Sequence, residues 1–274
     1  MSKALIVENL SKNISNQPIL KNISFSVERG SFCAFIGPNG AGKTTTIRSI
    51  IGLFPYSQGK ITILDQDAKN ILSRMKVGYV IEKENFFNVS AKQFLCDMAS
   101  YYDIKQEVVL QRIDELATLF NIKDKLDDRL DKMSSGQKKK IMIIQALVHD
   151  PDLIIMDEPT ENLDPDTREI FYQLINKLKN QNKTIFISTH NLDEIEHYVD
   201  YIIILGSGEI KYTGKWNGSG NLREKYNQFK QTGVAQFHLD TPAPVQGQDK
   251  YDEMVKKNLL TQEEANILRS KTTK

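Results

Sequence analysis

A glycine-rich segment between an apolar run and a helical pattern constrains the fold of this 274-residue sequence more than any other feature. Residues 31–36 are almost wholly apolar, which is typical of a strand that is covered on both faces. A helical pattern runs from Lys43 to about Leu53. The segment between them matches the pattern G-x-x-x-x-G-K-[S/T], and a strand–loop–helix context distinguishes this motif from a chance match. It reads Gly37-Pro38-Asn39-Gly40-Ala41-Gly42-Lys43-Thr44.

The residue types in this loop suit the binding of phosphate groups. Glycines allow backbone N–H groups to curve around phosphate oxygens, and the N-terminus of the following helix adds a partial positive charge. We expect Lys43 to reach the β- and γ-phosphates and the Thr44 hydroxyl to ligate Mg²⁺. Thr45 is placed to contact the α-phosphate through its backbone and hydroxyl. Residues 37–45 therefore predict a site for a nucleoside triphosphate.

Two acidic residues follow a second apolar strand. The strand Leu153–Met156 ends in Asp157 and Glu158, and ligands bind at the carboxyl ends of strands in open α/β sheets. We expect Asp157 to hold Mg²⁺, directly or through water, and Glu158 to align a water molecule and accept its proton. His190 closes the next predicted strand, at residues 184–188, and is expected to contact the γ-phosphate from the same edge. The alternative for each segment is an ordinary solvated strand end.

The remaining pattern predicts the fold class as α/β. Helices alternate with apolar strands after about residue 137, which favours a mostly parallel sheet. Alternating apolar residues between positions 23 and 27 predict an antiparallel β subdomain. Residues 85–135 predict a helical insertion, in which Ser90-x-x-Gln93 is a capping box. We therefore expect an α/β phosphate-loop (P-loop) NTPase fold with these two additions and a small helical C-terminal tail.

The composition changes after about residue 215. Asn217-Gly218-Ser219-Gly220 predicts a flexible joint, and the prolines and glycine after residue 240 predict an extended linker. The expected organisation is a nucleotide-binding domain at residues 1–216, a linker at 217–250 and a short helical extension at 251–274.

Charge, cysteines and apolar runs exclude several classes of protein. A net charge of +1 provides no field that would attract nucleic acid, so no nucleic-acid partner is expected. Cys33 and Cys96 match no metal or redox spacing and fit a reduced, cytosolic setting. No basic-plus-apolar leader is expected at the N-terminus. The apolar runs are too short to cross a bilayer, so any membrane-spanning part is expected on another chain.

Taken together, these motifs resemble the ATP-binding-cassette (ABC) ATPases over roughly residues 3–215. Residues 132–137, Lys-Met-Ser-Ser-Gly-Gln, are similar to the family's L-S-G-G-Q signature. Residues 160–164 resemble its D-loop, and Thr189-His190 resembles its switch histidine. The resemblance implies ATP hydrolysis by two head-to-tail domains, in which the signature of one domain closes the ATP site of the other. The nucleotide-binding residues implied in this way are Ser134, Ser135, Gly136, Gln137 and Asp164.

Three positions depart from the family's pattern. Ser135 replaces the first glycine of the signature and crowds the approach of phosphate to backbone. Glu82 stands where the Q-loop has glutamine; a carboxylate there can still ligate Mg²⁺, and it resembles the branch that exports drugs and antimicrobial peptides. Ile14 stands where an aromatic residue usually stacks on adenine, so the contact with the base is expected to be aliphatic.

The resemblance also implies a working context. The chain is expected to be the ATP-binding subunit of a transporter, with ATP and Mg²⁺ as cofactors and a position on the cytoplasmic face of the cell membrane. Its implied partners are a permease on a separate chain and a second copy of itself or a related ATPase subunit. A soluble ABC ATPase, for example in iron–sulfur cluster assembly, is the alternative. A GTPase or small-molecule kinase accounts for the phosphate loop only, and residues 182–185 lack the aspartate of N-K-x-D.

Overall fold

The computed structural model describes residues 2–80, 88–218 and 220–229, together with Val255. Glu82 and the predicted extension at 251–274, apart from Val255, therefore lie outside the described residues. The described strands form two sheets. The strands are β1 (Lys3–Ile14), β2 (Gln17–Glu28), β3 (Phe32–Ile36), β4 (Gln58–Ile63), β5 (Gln66–Asp67), β6 (Val77–Val80), β7 (Leu153–Asp157), β8 (Thr184–Thr189), β9 (Tyr201–Gly206) and β10 (Glu209–Lys215). The helices are α1 (Lys43–Ile50), α2 (Ala91–Ala99), α3 (Gln106–Leu119), α4 (Ser135–Leu147), α5 (Pro165–Asn180), α6 (Leu192–Ile195) and α7 (Leu222–Phe229).

The larger sheet has the strand order β10-β9-β3-β8-β7-β6 and is parallel except for the pair β10–β9. Alternate residues of β3 enter two different hydrophobic clusters, one on each face of the sheet: Phe32, Ala34 and Ile36 in the first, Cys33 and Phe35 in the second. A strand buried on both faces needs apolar residues at every position, which explains the continuous run in the sequence. The predicted α/β fold with a mostly parallel sheet is confirmed.

The smaller sheet is antiparallel, with the order β2-β1-β4-β5. β1 is much longer than the apolar run at residues 4–7 indicates, because its polar second half pairs with β2 through to Ile14 and Gln17. Ser15 and Asn16 both have positive φ, at 49° and 63°, as a tight two-residue hairpin turn requires. The turn leaves Ile14 at the tip of the hairpin.

The predicted helical insertion contains α2 and α3, which pack against α4 through one shared apolar cluster. Ser90 caps α2 as expected, since its Oγ accepts from the Gln93 backbone N at 3.2 Å. The Gln93 side chain, however, donates to Asp97 Oδ1 at 2.6 Å. The predicted capping box at this helix is therefore only half formed. Among the described residues, no helix is long and apolar enough to span a membrane.

Helix α7 lies where the sequence predicts the start of the linker. Leu222 is fully buried, and its backbone N donates to Glu196 Oε2 at 3.1 Å. Arg223 makes two hydrogen bonds to the Asp193 carboxylate, at 3.1 and 2.6 Å. The linker prediction is wrong for residues 222–229, which form a helix. A buried leucine and an ion pair hold this helix in place, and the polar composition of the segment does not indicate either contact.

His149 is a buried histidine at the junction of α4, β6 and the end of α2. Its Nε2–H donates to the Val77 carbonyl oxygen at 3.2 Å, and its ring stacks on Tyr102 with the centroids 3.9 Å apart. Nδ1 is buried without a hydrogen-bond partner among the described residues. Burial lowers the pKa of His149 from 6.5 to about 4, so the ring is neutral in the fold at pH 7.

We predict that His149 makes the fold less stable in mild acid. The unfolded chain takes up a proton near pH 6.5 and the folded chain only near pH 4, so the stabilisation present above pH 6.5 is lost as the pH falls through this window. His149→Asn should reduce the loss of unfolding free energy between pH 7 and pH 5 by roughly 2 kcal/mol, measured by urea denaturation. His197→Asn, which changes an exposed histidine, is the matched control and should retain the full loss.

Candidate active site

The phosphate loop connects β3 to α1 and is shaped by glycines. Gly40 and Gly42 have φ values of 78° and 109°, in the region that side chains disfavour. A Cβ on Gly37 would lie 2.5 Å from the carbonyl oxygen of Leu205 in β9. The loop therefore needs glycine for backbone conformation at two positions and for close packing at a third.

Lys43 begins α1, and its side chain returns over the loop. The residue is only 7% exposed, and its ammonium lies 2.8 Å from the Gly37 carbonyl oxygen and 3.8 Å from Glu158 Oε1. Because an ammonium has three donors and a phosphate is a stronger acceptor than a carbonyl, this group can take a phosphate as an additional partner. The structure thus brings together Lys43 and Glu158, which are more than a hundred positions apart in the sequence.

Asp157 lies fully buried at the end of β7. Its Oδ1 accepts a hydrogen bond from Ser188 Oγ of the neighbouring strand β8. Its Oδ2 has no hydrogen-bond partner among the described residues. A buried carboxylate oxygen without a partner is costly, and carboxylate and hydroxyl oxygens are the ligands that Mg²⁺ prefers. Asp157 is not among the residues that line the pocket beside the phosphate loop, but it directly precedes Glu158, which lines that pocket together with Thr44. The residue types at this strand end fit a magnesium ion.

Glu158 has a strained backbone and a partly buried carboxylate. Its φ of 46° is unusual for a residue with a side chain and costs on the order of 1–3 kcal/mol. The backbone N donates to Ser188 O at 3.1 Å and lies 3.2 Å from Ser188 Oγ. The carboxylate Oε2 lies 3.0 Å from Nδ1 of His190, whose side chain is 59% exposed. The predicted catalytic pair is therefore in direct contact.

One pocket of about 450 Å³ unites the phosphate loop with these side chains. Sequence reasoning placed Ile14 there, and the structure does so too, with Ile14 40% exposed. It missed Ile19, which lies on the neighbouring strand β2 of the hairpin, and Glu161, which belongs to the segment resembling the D-loop. The signal for Ile19 was the hairpin turn between β1 and β2. The lining residues are Ile14, Ile19, Pro38, Asn39, Gly40, Gly42, Lys43, Thr44, Thr45, Glu158, Glu161 and His190.

The signature residues open α4 and do not line this pocket within the described chain. Ser134 Oγ accepts from the Gln137 backbone N at 3.2 Å, and the Gln137 side chain accepts from the Ser134 backbone N at 2.9 Å. This is a complete capping box. Ser134 and Ser135 are exposed, while a Cβ on Gly136 would lie 2.8 Å from the Asn162 carbonyl oxygen. One chain thus holds the phosphate loop and the signature at separate places.

Asp164 has a structural role in this chain. Its carboxylate caps α5 by accepting from the Thr167 backbone N at 2.9 Å and the Thr167 hydroxyl at 2.7 Å. These hydrogen bonds hold the pKa of Asp164 below its usual value. Asp164 does not line the pocket in the described chain, so a nucleotide contact would have to come from across a dimer interface.

Comparison with known proteins shows the family to which this chain belongs. Residues 20–161 match the family model described as ABC transporter. This chain belongs to the ABC transporter ATP-binding family. ABC ATPases bind and hydrolyse ATP, so the predicted resemblance and enzyme class are confirmed.

Several curated relatives are similar over most of this ABC chain. A putative ABC transporter ATP-binding protein of Mycoplasma pneumoniae is 38% identical over 72% of this chain, which spans only 61% of that relative. NatA of Bacillus subtilis is 34% identical, over 71% of this chain and 81% of the relative. The bacitracin transport ATP-binding protein BcrA of Bacillus licheniformis is 34% identical, over 84% of this chain and 76% of the relative.

Solved structures share the same fold. An ATP-binding subunit of an ABC transporter superposes with a TM-score of 0.77 at 31% identity, covering 82% of this chain and 99% of that one. CbiO1 of Clostridium perfringens, part of the ABC transporter complex cbiONQ, has a TM-score of 0.68 at 28% identity. It covers 83% of this chain and 93% of the other.

We predict weak discrimination between adenine and guanine nucleotides. Ile14 and Ile19 are the apolar side chains at the hairpin side of the pocket, and an aliphatic contact lacks the offset stacking that an aromatic ring contributes, on the order of 1 kcal/mol. Dissociation constants for ATP and GTP, measured by calorimetry, should differ by less than about a hundredfold, roughly 2.7 kcal/mol. Ile14→Tyr should tighten the binding of ATP. A preference for ATP above that ratio in the unmodified chain would refute the prediction.

Proposed function

We propose that this ATPase powers an exporter of drugs or peptides as one half of a head-to-tail dimer, bound to a separate permease at the cytoplasmic face of the membrane. The observation that carries the dimer is the incomplete site. The pocket contains the phosphate loop, Glu158 and His190 but, within the described chain, no residue of the signature. The exposed Ser134 and Ser135 at the N-terminus of α4 provide a hydroxyl-rich helix end that suits the γ-phosphate of a second copy's ATP.

The chemistry of hydrolysis follows from the positions of the side chains. Water attacks the γ-phosphorus, the bond to the β,γ-bridging oxygen breaks, and ADP leaves. Glu158 is the proposed base that orients this water and accepts its proton. His190 shares the Glu158 carboxylate at 3.0 Å and is proposed to contact the γ-phosphate. Lys43 neutralises charge on the β- and γ-phosphates.

Mg²⁺ is the cofactor that the site fits. Thr44 and the unpartnered oxygen of Asp157 are its proposed protein ligands, and Glu82 is a further candidate beyond the described residues. When bound, the ion supplies positive charge that offsets charge developing on the phosphate oxygens.

The relatives support a role in transport rather than in a soluble assembly process. BcrA is described as a bacitracin transport protein, and a relative from Bradyrhizobium diazoefficiens, 31% identical over 75% of this chain, is described as a Nod factor export protein. Glu82, which resembles the drug and antimicrobial-peptide branch, favours the same direction. We propose export on these two grounds.

Exposed apolar residues provide a surface for the permease. Ile71 and Leu72 are 70% and 64% exposed, and Leu53 and Met75 are 49% and 37% exposed. Arg74 Nη1 donates to the Ile51 carbonyl oxygen at 2.8 Å, which joins the two segments. Ile71 and Leu72 are consecutive and both largely exposed, which favours a protein or membrane contact at this segment.

We predict that Glu158→Gln retains ATP binding, loses most turnover and accumulates an ATP-bound dimer. The amide preserves the shape of the side chain but cannot accept the proton of the attacking water. Size-exclusion chromatography with Mg²⁺ and ATP should show the dimer, and phosphate release should show the lost turnover. Glu169→Gln, an exposed position on α5, is the control.

Two results would contradict this proposal. Unchanged hydrolysis in Glu158→Gln would remove Glu158 from the mechanism. Lost hydrolysis with a strictly monomeric, ATP-bound protein would argue against the head-to-tail dimer.

For the permease surface, we predict that Ile71→Ser with Leu72→Ser abolishes binding to a membrane protein and leaves ATP hydrolysis intact. Co-sedimentation with inside-out membrane vesicles of the source cell measures the binding, and Leu119→Ser, at another exposed leucine, is the control. Vesicles stripped by protease should lose the interaction with the unmodified chain. Full binding of the double variant would show that the permease docks elsewhere.

A further inference from the structure

We propose that Lys139 is a positioning residue that holds the Glu158 backbone in its catalytic conformation. Lys139 lies on α4, five residues after Ser134 and in the second turn of the helix. It is only 7% exposed, and its ammonium donates to the Glu158 carbonyl oxygen at 3.0 Å. The inference rests on the role proposed above for Glu158 as the base.

The Glu158 backbone needs support because its conformation is unfavourable. Its φ of 46° lies in the left-handed region, where a residue with a side chain remains only when its surroundings fix it. Ser188 fixes the preceding peptide, since the Glu158 N–H is directed at its carbonyl and hydroxyl oxygens. Lys139 fixes the following peptide through the carbonyl. The two contacts therefore restrain both backbone torsions of Glu158, φ and ψ, which set the direction in which its side chain leaves the backbone.

The charge of Lys139 makes this restraint stronger than a neutral side chain would. Hydrogen bonds from an ionised donor are shorter and stronger than neutral ones, and screening by water is weak at a buried position. A buried ammonium also needs partners, so the Glu158 carbonyl and Lys139 stabilise each other. The same helix presents Ser134 at its exposed end, so one rigid element carries both the signature and the support for the base.

The test compares Lys139→Met and Lys139→Arg with the unmodified full-length chain. Lys139→Met keeps most of the buried side-chain volume but removes the donor, so kcat for ATP should fall by roughly tenfold to a hundredfold, as expected when a catalytic group is misplaced. The KM for ATP should remain within about twofold, because the phosphate loop is untouched. Lys139→Arg restores a charged donor and should recover most of kcat.

A matched control separates positioning from general stability. Lys183 lies at the opposite end of β7, is 15% exposed and donates to the Asp150 carbonyl oxygen at 3.2 Å. Lys183→Met removes a lysine-to-carbonyl hydrogen bond together with ion pairs to Asp150 and Asp152 at 2.9 and 3.6 Å. It should therefore lower the melting temperature at least as much as Lys139→Met does, without lowering kcat. A fall in kcat that tracks the melting temperature equally in both variants would overturn the proposal.

A double variant distinguishes failure of this inference from failure of the proposed function. If Lys139 acts through Glu158, adding Lys139→Met to Glu158→Gln should reduce turnover no further. A full additional loss, or a wild-type kcat in Lys139→Met, would overturn the role of Lys139 while leaving Glu158 as the base. If Lys139→Met does not fold, kcat and KM for ATP are compared between Lys139→Gln, Lys139→Arg and the unmodified chain instead. Full turnover in Glu158→Gln alone would instead refute the proposed mechanism.

Discussion

The parallel pairing of β3, β8 and β7 is the constraint on which the rest of the site depends. Ile36 is paired with Thr189, and Asp157 with Ser188, so three chain segments emerge from the sheet side by side. One continues into the phosphate loop, one into Glu158 and one into His190. The burial of these strands on both faces fixes their register, since the apolar residues along them contribute to a hydrophobic cluster on each face of the sheet. The apolar strands thus place the charged groups side by side at one edge of the sheet, although the strand interiors themselves make few polar contacts.

Residues that are unfavourable in an apolar environment lie where the strands of this sheet end. The strands favour an apolar interior, yet Asp157 and Lys43 are buried there, and Glu158 has a left-handed backbone. Two of these costs are partly offset by a specific neighbour: Ser188 donates to one oxygen of the Asp157 carboxylate, and the Gly37 carbonyl accepts from Lys43. Unfavourable features of this kind concentrate at functional sites, where the surrounding fold maintains them.

The phosphate loop, the acidic strand end and the alternating order of elements could be predicted from sequence, because each is a local pattern. The pattern Ser-x-x-Gln shows the limit of such reasoning. At residues 134–137 it forms a full capping box. At Gln93 the same pattern fails, because Asp97 lies one helical turn further on and takes the glutamine side chain. A competing residue outside the motif decides the outcome.

Contacts between distant segments could not be predicted in the same way. Nothing near Lys139 in the sequence indicates that its side chain reaches Glu158, because that distance depends on how α4 packs on the sheet. Ile19 lines the pocket because of the register of the β1–β2 hairpin, and α7 packs on the domain because Leu222 is buried there. Such features are set by tertiary structure, whereas periodicity reports only on the element that carries it.

The attachment of α7 has a consequence for where this cassette ends. The chain leaves the sheet at Lys215, but the residues that clamp α6, immediately after His190, are Leu222 and Arg223. A truncation at residue 216 would keep every sequence motif yet expose the apolar position that Leu222 covers and release Asp193. The C-terminal domain boundary inferred from sequence motifs therefore lies more than one helical turn before the boundary defined by side-chain packing. Fragments or fusions of this chain should retain α7 if α6, which follows His190, is to keep its contacts with Leu222 and Arg223.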